Sequence, residues 1–301
     1  MSKSTGKHYI ASLDIGTTKV AYLIGEVGAE GLHVIGVGES PNIGVKQGQV
    51  INIDSTTDAI KKAKEEAELM AGIQTNQIWL GISGSHIQSF DSNGMIAIRN
   101  KEVTKDDVDR VIETAKAVAI PSDRQVLHVL PNEYKVDNQQ GIHDPVGMSG
   151  VRLEASVHII TGSSSSIQNS VKCVENAGLK VKGLVLQQFA SALSILSDDE
   201  KQLGVAAVDI GGGTCDLIAF INKSVVATSV IPVGGQNFTH DIAMGLRTTQ
   251  NNAEDLKKKH SQGVFWANQF DNTANYKGHY KTTGPEIWDQ TEGKVDAFIC
   301  A

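Results

Sequence analysis

The 301 residues are 40% hydrophobic and 20% charged, a balance that supports a buried core and excludes wholesale disorder. Lys plus Arg number 27 against 34 Asp plus Glu, for a formal net charge of -7, so no basic footprint for nucleic acid or an anionic bilayer is present. Cys173, Cys215 and Cys300 are too widely spaced for a disulfide framework or a metal clasp, no apolar run is long enough for a membrane helix, and Met1–His8 lacks a signal-peptide core; a cytoplasmic chain is expected.

In chain order, residues 12–24, SLDIGTTKVAYLI, pass from an apolar run through Asp-Ile-Gly and a hydroxyl-rich turn into a second apolar run. This predicts strand, tight turn, strand. A helix is expected over 56–71, with Asp54 as N-cap, Ile60, Ala63, Ala67 and Met70 on one face, and Gly72 just beyond. Gln77–Ile82 reads as a buried strand and Ile87–Arg99 as β-rich. Thr104 should cap a helix over 105–118 that carries Val108, Val111, Ile112 and Ala115 on one face. Val126–Val136 reads as a strand, Gly141–Gly150 as a surface loop, Leu153–Thr161 as a strand, and 166–177 as a helix ending at Gly178. Residues 207–221, AVDIGGGTCDLIAFI, then repeat the opening pattern, which implies two subdomains on one plan with an insertion between about 82 and 161.

A glycine-rich turn lets backbone N–H groups converge on an anion, and Gly16, Gly211, Gly212 and Gly213 offer that freedom. Thr17, Thr18 and Thr214 add hydroxyls and Lys19 a cation. A carboxylate beside a polyphosphate requires a divalent cation between them, so Asp14 and Asp209 together point to Mg²⁺ held partly through water. Either turn alone is an ordinary hairpin; the pair is what points to a site, and it requires both turns to face one cleft. Neither a Walker A pattern nor Gly-x-Gly-x-x-Gly is present.

These two segments resemble the phosphate motifs of the actin, Hsp70 and sugar-kinase superfamily. Together with LGISGSHI at 80–87, Val-Ile-Pro at 230–232 and GGQNFTHDIAMGLRT at 234–248, they resemble the FtsA family of bacterial cell-division proteins. The likeness runs from about residue 8 to about residue 263. It implies an α/β, actin-like ATPase fold of ribonuclease H-like subdomains, truncated on its C-terminal side. Residues 1–81 and 162–187 would form the first subdomain, 82–161 an inserted α+β subdomain, and 188–263 the second half. It further implies ATP and Mg²⁺ as cofactors, with Asp14 and Asp209 on the metal. Gly16, Thr17, Thr18, Lys19 and Gly211–Thr214 would hold phosphate, with Gly234 and Gly235 also contacting the nucleotide. Gln187, with Asp209, would serve catalysis by positioning the hydrolytic water; Glu254 and Lys257 would lie near ribose and base.

The implied partners are an FtsZ-type tubulin homologue, other division proteins and further copies of the chain, at the cytoplasmic face of the membrane. Activity would be at most a weak ATPase. Simpler roles exist for several residues: Lys19 as a solvated strand residue, Gln187 as a helix-surface amide, Glu254 and Lys257 as an i, i+3 surface pair. His8, His33, His86, His128, His143, His158 and His240 show no metal-ligand spacing and are assigned no chemistry.

Residues 268–301 instead resemble an interior piece of the PLP-dependent cysteine synthase family, without its Schiff-base lysine, so a chimeric chain is expected. A helix over 283–290 and a strand over Val295–Cys300 are read there. Direct membrane attachment is not expected, since this stretch lacks a basic amphipathic helix, and ATP affinity should be weaker than in an intact relative. Two other readings stand beside the division protein: a sugar or acetate kinase of the same superfamily, and a recombined chain that keeps only the fold.

Overall fold

The computed structural model describes residues 8–258 and 298–300. Strands β1 (His8–Ile15), β2 (Lys19–Gly28) and β3 (Gly31–Pro41) form an antiparallel meander. Alternation along β1 drives Ala11, Leu13 and Ile15 into the core. A short hairpin, β4 (Val45–Lys46) and β5 (Gln49–Val50), leads to helix α1 (Ile53–Ala71). The side chain of Asn52 caps α1 by accepting from the Ser55 N–H at 3.0 Å, so the N-cap is Asn52 and the expected Asp54 sits in the first turn. Gly72 ends the helix in the left-handed region at φ 68°. Ile60, Ala63 and Ala67 are buried, but Met70 is 66% exposed. Ala71 takes the sheet-facing place instead, packed over Gly36 of β3.

Strand β6 (Gln77–Ile82) lies parallel beside β1. Next come β7 (Gln88–Ala97), α2 (Lys105–Lys116), β8 (Arg124–Val136), β9 (Gln139–Ile142) and β10 (Arg152–Ser163), whose strands form a separate antiparallel sheet ordered β7-β10-β8-β9. Thr104 and Asp107 close a reciprocal capping box on α2. The expected loop at Gly141–Gly150 is partly strand, because β9 pairs Ile142 with Tyr134 of β8. After α3 (Ser164–Asn176), β11 (Lys180–Leu186) completes the first sheet in the order β11-β6-β1-β2-β3.

Helix α4 (Gln187–Ile195) then crosses to the second half: α5 (Asp198–Leu203), β12 (Val205–Ile210), β13 (Cys215–Ile221), β14 (Ser224–Ile231), α6 (Gly235–Gly245) and α7 (Gln250–Lys258). Strand β15 (Phe298–Cys300) pairs in parallel with Ala206–Val208 of β12, giving a sheet ordered β14-β13-β12-β15. The sheets of the two halves are therefore each an antiparallel meander with a parallel strand beside its first member, whereas the inserted sheet is wholly antiparallel. Of the elements expected in the tail, the helix over 283–290 lies outside the described residues, and the described part of the final strand is β15.

Each half has its own apolar core, and the insertion packs separately around Val111 and Leu153 and around Val157 and Ile159. Leu13, Tyr22, Ile24, Ile60 and Leu80 centre the first; Ala192, Ile218 and Phe220 centre the second. Leu130 of β8 and Phe189 of α4 pack against both, so the insertion contributes to the seam between the halves.

Candidate functional site

The two Asp-Ile-Gly segments fold alike. In the first, the Gly16 N–H donates to the Lys19 carbonyl at 2.9 Å; in the second, the Gly211 N–H donates to the Thr214 carbonyl at 2.8 Å. Strand register places Asp14 opposite Ala21 and Asp209 opposite Asp216. The turns meet face to face: a Cβ on Gly212 would stand 2.4 Å from Thr18 Cγ2, and one on Gly213 would stand 2.7 Å from Thr17 Oγ1. Gly16, Gly211, Gly212 and Gly213 all have ordinary backbone angles, absent from the positive-φ positions. The missing Cβ at 212 and 213 thus serves the close approach of the opposite turn.

Gly234 and Gly235 belong to the same packing. The Gly235 and Gln236 N–H groups at the start of α6 donate to the Gly211 and Gly212 carbonyls at 2.9 and 2.8 Å, holding the second turn from behind. A Cβ on Gly234 would lie 2.5 Å from the Gly211 oxygen.

Carboxylates gather between the turns. Burial, then the charge of Asp209, pushes the Asp14 carboxyl up to about 6, Lys19 opposing and Asp216 adding to the rise. Asp216 is also pushed up to about 6, by burial first, although Ser83 and Thr214 hydroxyls donate to it and oppose the shift. Ser83 Oγ reaches the two Asp216 oxygens at 2.8 and 2.9 Å, and Thr214 Oγ1 reaches one at 3.1 Å. Helix α4 ties the halves together. Gln187 Nε2 donates to Asp14 Oδ1, and one turn later Ser191 Oγ donates to Asp209 Oδ2 at 3.1 Å.

Lys19 stands at the rim with Nζ 2.7 Å from Glu39 Oε1, both side chains more than half exposed. A cavity of about 460 Å³ opens beside the turns, lined by Thr18, Gly212, Gly235, Thr239 and Glu254 among others. Thr239 Oγ1 donates to Glu254 Oε2 at 2.6 Å across the α6–α7 junction. Lys257 falls in α7, but its side chain lies outside the described residues. Neither Asp14 nor Asp209 lines this cavity.

Sequence reasoning missed Asp216, Ser83 and Ser191. Asp216 was legible as the last residue of the repeated hairpin, directly across the ladder from Asp209. Ser191 was legible as the i+4 neighbour of Gln187 on a helix. Ser83 carried no local signal, because its partner is 133 positions away.

Among the described residues, no group of three or more His, Cys, Asp or Glu side chains could hold a metal ion by itself. The carboxylates still fit a Mg²⁺, which takes one or two protein carboxylates and completes its shell with water and phosphate oxygens. Burial first, and the neighbouring Asp209 charge, raise Asp14 and Asp216, so a cation between these groups would offset both costs.

Two meanders facing across a cleft, joined by a helix that touches both hairpins, are the actin-like ATPase fold. The type IV pilus biogenesis complex PilM-PilN superposes with a TM-score of 0.61 at 16% identity, over 94% of this chain and 74% of that chain. The ethanolamine utilization protein EutJ of Carboxydothermus hydrogenoformans gives 0.50 at 14% identity, over 96% and 71%. The family model for the SHS2 domain inserted in FtsA matches residues 84–161, and the model for cell division protein FtsA matches 206–288.

Cell division protein FtsA of Pseudomonas aeruginosa is 49% identical over 261 residues, 86% of this chain and 62% of that protein. The Neisseria meningitidis protein is 47% identical over 83% of this chain and 61% of its own length, and the Escherichia coli K12 protein 43% over 86% and 62%. The chain belongs to the FtsA family, and it spans about 62% of the length of the first of these relatives. The FtsA match ends at residue 288, beyond Gly263, where the sequence likeness was expected to stop.

Proposed function

We propose that this chain is an actin-like component of the bacterial division machinery that takes Mg-ATP between its two hairpins. In this reading it self-associates and links an FtsZ-type ring to the membrane and to later division proteins. The observation that carries the nucleotide site is the convergence of Asp14, Asp209 and Asp216 between two opposed turns, where burial and mutual repulsion call for a cation. The division role rests on the curated relatives, which are named for it. The 82–161 insertion, with sheet and helix of its own, is the part that best suits partner contacts.

Asp14 and Asp209 would hold the ion through water, while backbone around Gly16–Thr18 and Gly211–Thr214 would grip phosphate. Bound Mg²⁺ would supply neutralisation of phosphoryl charge. Gln187, anchored on Asp14, would orient a water, and Glu254, fixed by Thr239, would meet the ribose. No strong base faces the turns among the described residues, so hydrolysis should be slow and driven by positioning.

Isothermal titration with ATP, with and without Mg²⁺, tests the site. Saturable binding that requires Mg²⁺ supports it; no binding at millimolar Mg-ATP overturns it. A coupled ADP-release assay with added sugars or acetate separates this reading from a metabolic kinase. We further propose a composite origin for residues 268–301, since the curated relatives match up to 261 of the 301 residues; the FtsA match through residue 288 weighs against it. Sequencing the coding region at its source decides whether the two parts lie in one natural frame.

A further inference from the structure

The histidines carried no expected chemistry, yet one of them holds the bend on which Gln187 sits. His128 lies on β8 of the inserted sheet. Its Nε2 accepts the Leu186 N–H at 2.9 Å. Leu186 is the last residue of β11 and the N-cap position of α4, where no side chain caps the helix. Three residues along, the Phe189 ring packs on the imidazole with centroids 5.5 Å apart at 56°. The strand-to-helix corner is therefore gripped twice by one side chain from the insertion. The next residue after that corner is Gln187, which donates to Asp14, and Ser191, one turn on, donates to Asp209.

We propose that His128 is a positioning residue for the nucleotide site: its unprotonated Nε2 fixes the β11–α4 corner, so that Gln187 and Ser191 present their hydrogen bonds to the two hairpin aspartates. This rests on the proposed Mg-nucleotide site and assigns the inserted subdomain a part in it without direct contact. The acceptor role requires the ring proton to sit on Nδ1. Burial lowers the imidazole's proton affinity and so favours the neutral ring that can accept. A phenyl ring, one atom larger than imidazole, would keep a ring contact with Phe189 and lose the acceptor. Glutamine would keep an acceptor at similar reach.

The test compares His128→Phe and His128→Gln with the unaltered full chain. Amide hydrogen exchange at Leu186 reads the corner directly: it should accelerate by about tenfold in H128F and stay near the parent rate in H128Q, as expected for loss of one hydrogen bond worth roughly 1.4 kcal/mol. Titration reads the consequence. Mg-ATP should bind about fivefold to tenfold more weakly to H128F, with H128Q within about twofold of the parent, the scale of one such bond.

Unchanged Leu186 exchange in H128F overturns the proposal, as does equal weakening of Mg-ATP binding in both variants. Should the parent chain bind no Mg-ATP, the nucleotide reading fails by itself. The exchange measurement then still decides whether His128 fixes the corner.

Discussion

Replacing Asp14 by Asn should stabilise the free protein while damaging its proposed function. The Asp14 carboxyl rises from 3.8 to about 6, chiefly through burial and the neighbouring Asp209 charge. Between those values the folded chain holds a proton that the unfolded chain has released, so stability falls as pH rises through the window, and the loss is complete above about pH 6. A shift of roughly two pH units at about 1.4 kcal/mol each sets a ceiling of ~3 kcal/mol. Part of it is shared with Asp209 and Asp216 and does not add independently, so about 1–3 kcal/mol is expected for one substitution. Asn keeps the oxygen that accepts from Gln187, so that hydrogen bond survives. For a chain of this size the gain corresponds to a rise of about 3–8 °C in Tm. Urea denaturation at pH 4 and pH 7.5 measures it: D14N should exceed the parent at pH 7.5, with the difference largely gone at pH 4. Loss of Mg-dependent ATP binding should accompany the gain. A variant less stable than the parent at pH 7.5, or a gain that persists undiminished at pH 4, would refute the electrostatic account.

Further substitutions probe the packing around the turns. Gly234→Ala forces a Cβ against the Gly211–Gly213 backbone and should destabilise by about 1–3 kcal/mol, whereas Gly235→Ala, whose nearest neighbour would be 3.8 Å away, should leave the melting temperature nearly unchanged. Lys19→Ala removes an exposed pair with Glu39 and should alter stability by less than about 1 kcal/mol, yet weaken Mg-ATP in titration if Lys19 reaches phosphate. His158 Nε2 lies 3.1 Å from Thr228 Oγ1 and its Nδ1 2.7 Å from Asp91 Oδ1, linking the insertion to β14. A double-mutant cycle of His158→Phe and Thr228→Val by urea denaturation should give a coupling of about 1 kcal/mol; additive effects would show that the contact contributes nothing.

The sequence disclosed most where chemistry and periodicity coincide. Alternation around Leu13 and Ile218 placed both hairpins, and the Asp-Ile-Gly repeat linked them across the chain. Local signals failed where a competing residue did the same job: Asn52 out-ranked Asp54 as cap because its side-chain Oδ1 accepts from the Ser55 N–H. Met70 has the right spacing for the core, but the sheet beneath that turn receives Ala71. Residues whose role depends on distant partners were illegible. Ser83 meets Asp216 and His128 meets Leu186 only after the insertion folds back over the seam. Nothing in the spacing of the histidines encodes that return.

The two hairpins are copies in backbone but not in charge, and the difference gives the cleft its direction. The closing bonds at Gly16 and Gly211, with the matched registers, align Lys19 with Thr214 and Ala21 with Asp216. The first turn therefore offers one carboxylate and a cation at its rim, whereas the second offers two carboxylates and a buried hydroxyl. A pair of identical turns would repel or attract a polyphosphate equally from both sides. In the proposed site the rim lysine would draw anionic oxygens toward the first turn, and the excess negative charge of the second would call for a bridging cation. Helix α4 meets both, with an amide for the first aspartate and a hydroxyl for the second, so a change in the distance between the turns must strain or release one of those bonds. On the proposed roles of the site and of His128, a ligand that set that distance would be coupled, through Leu186 and His128, to the placement of the inserted sheet.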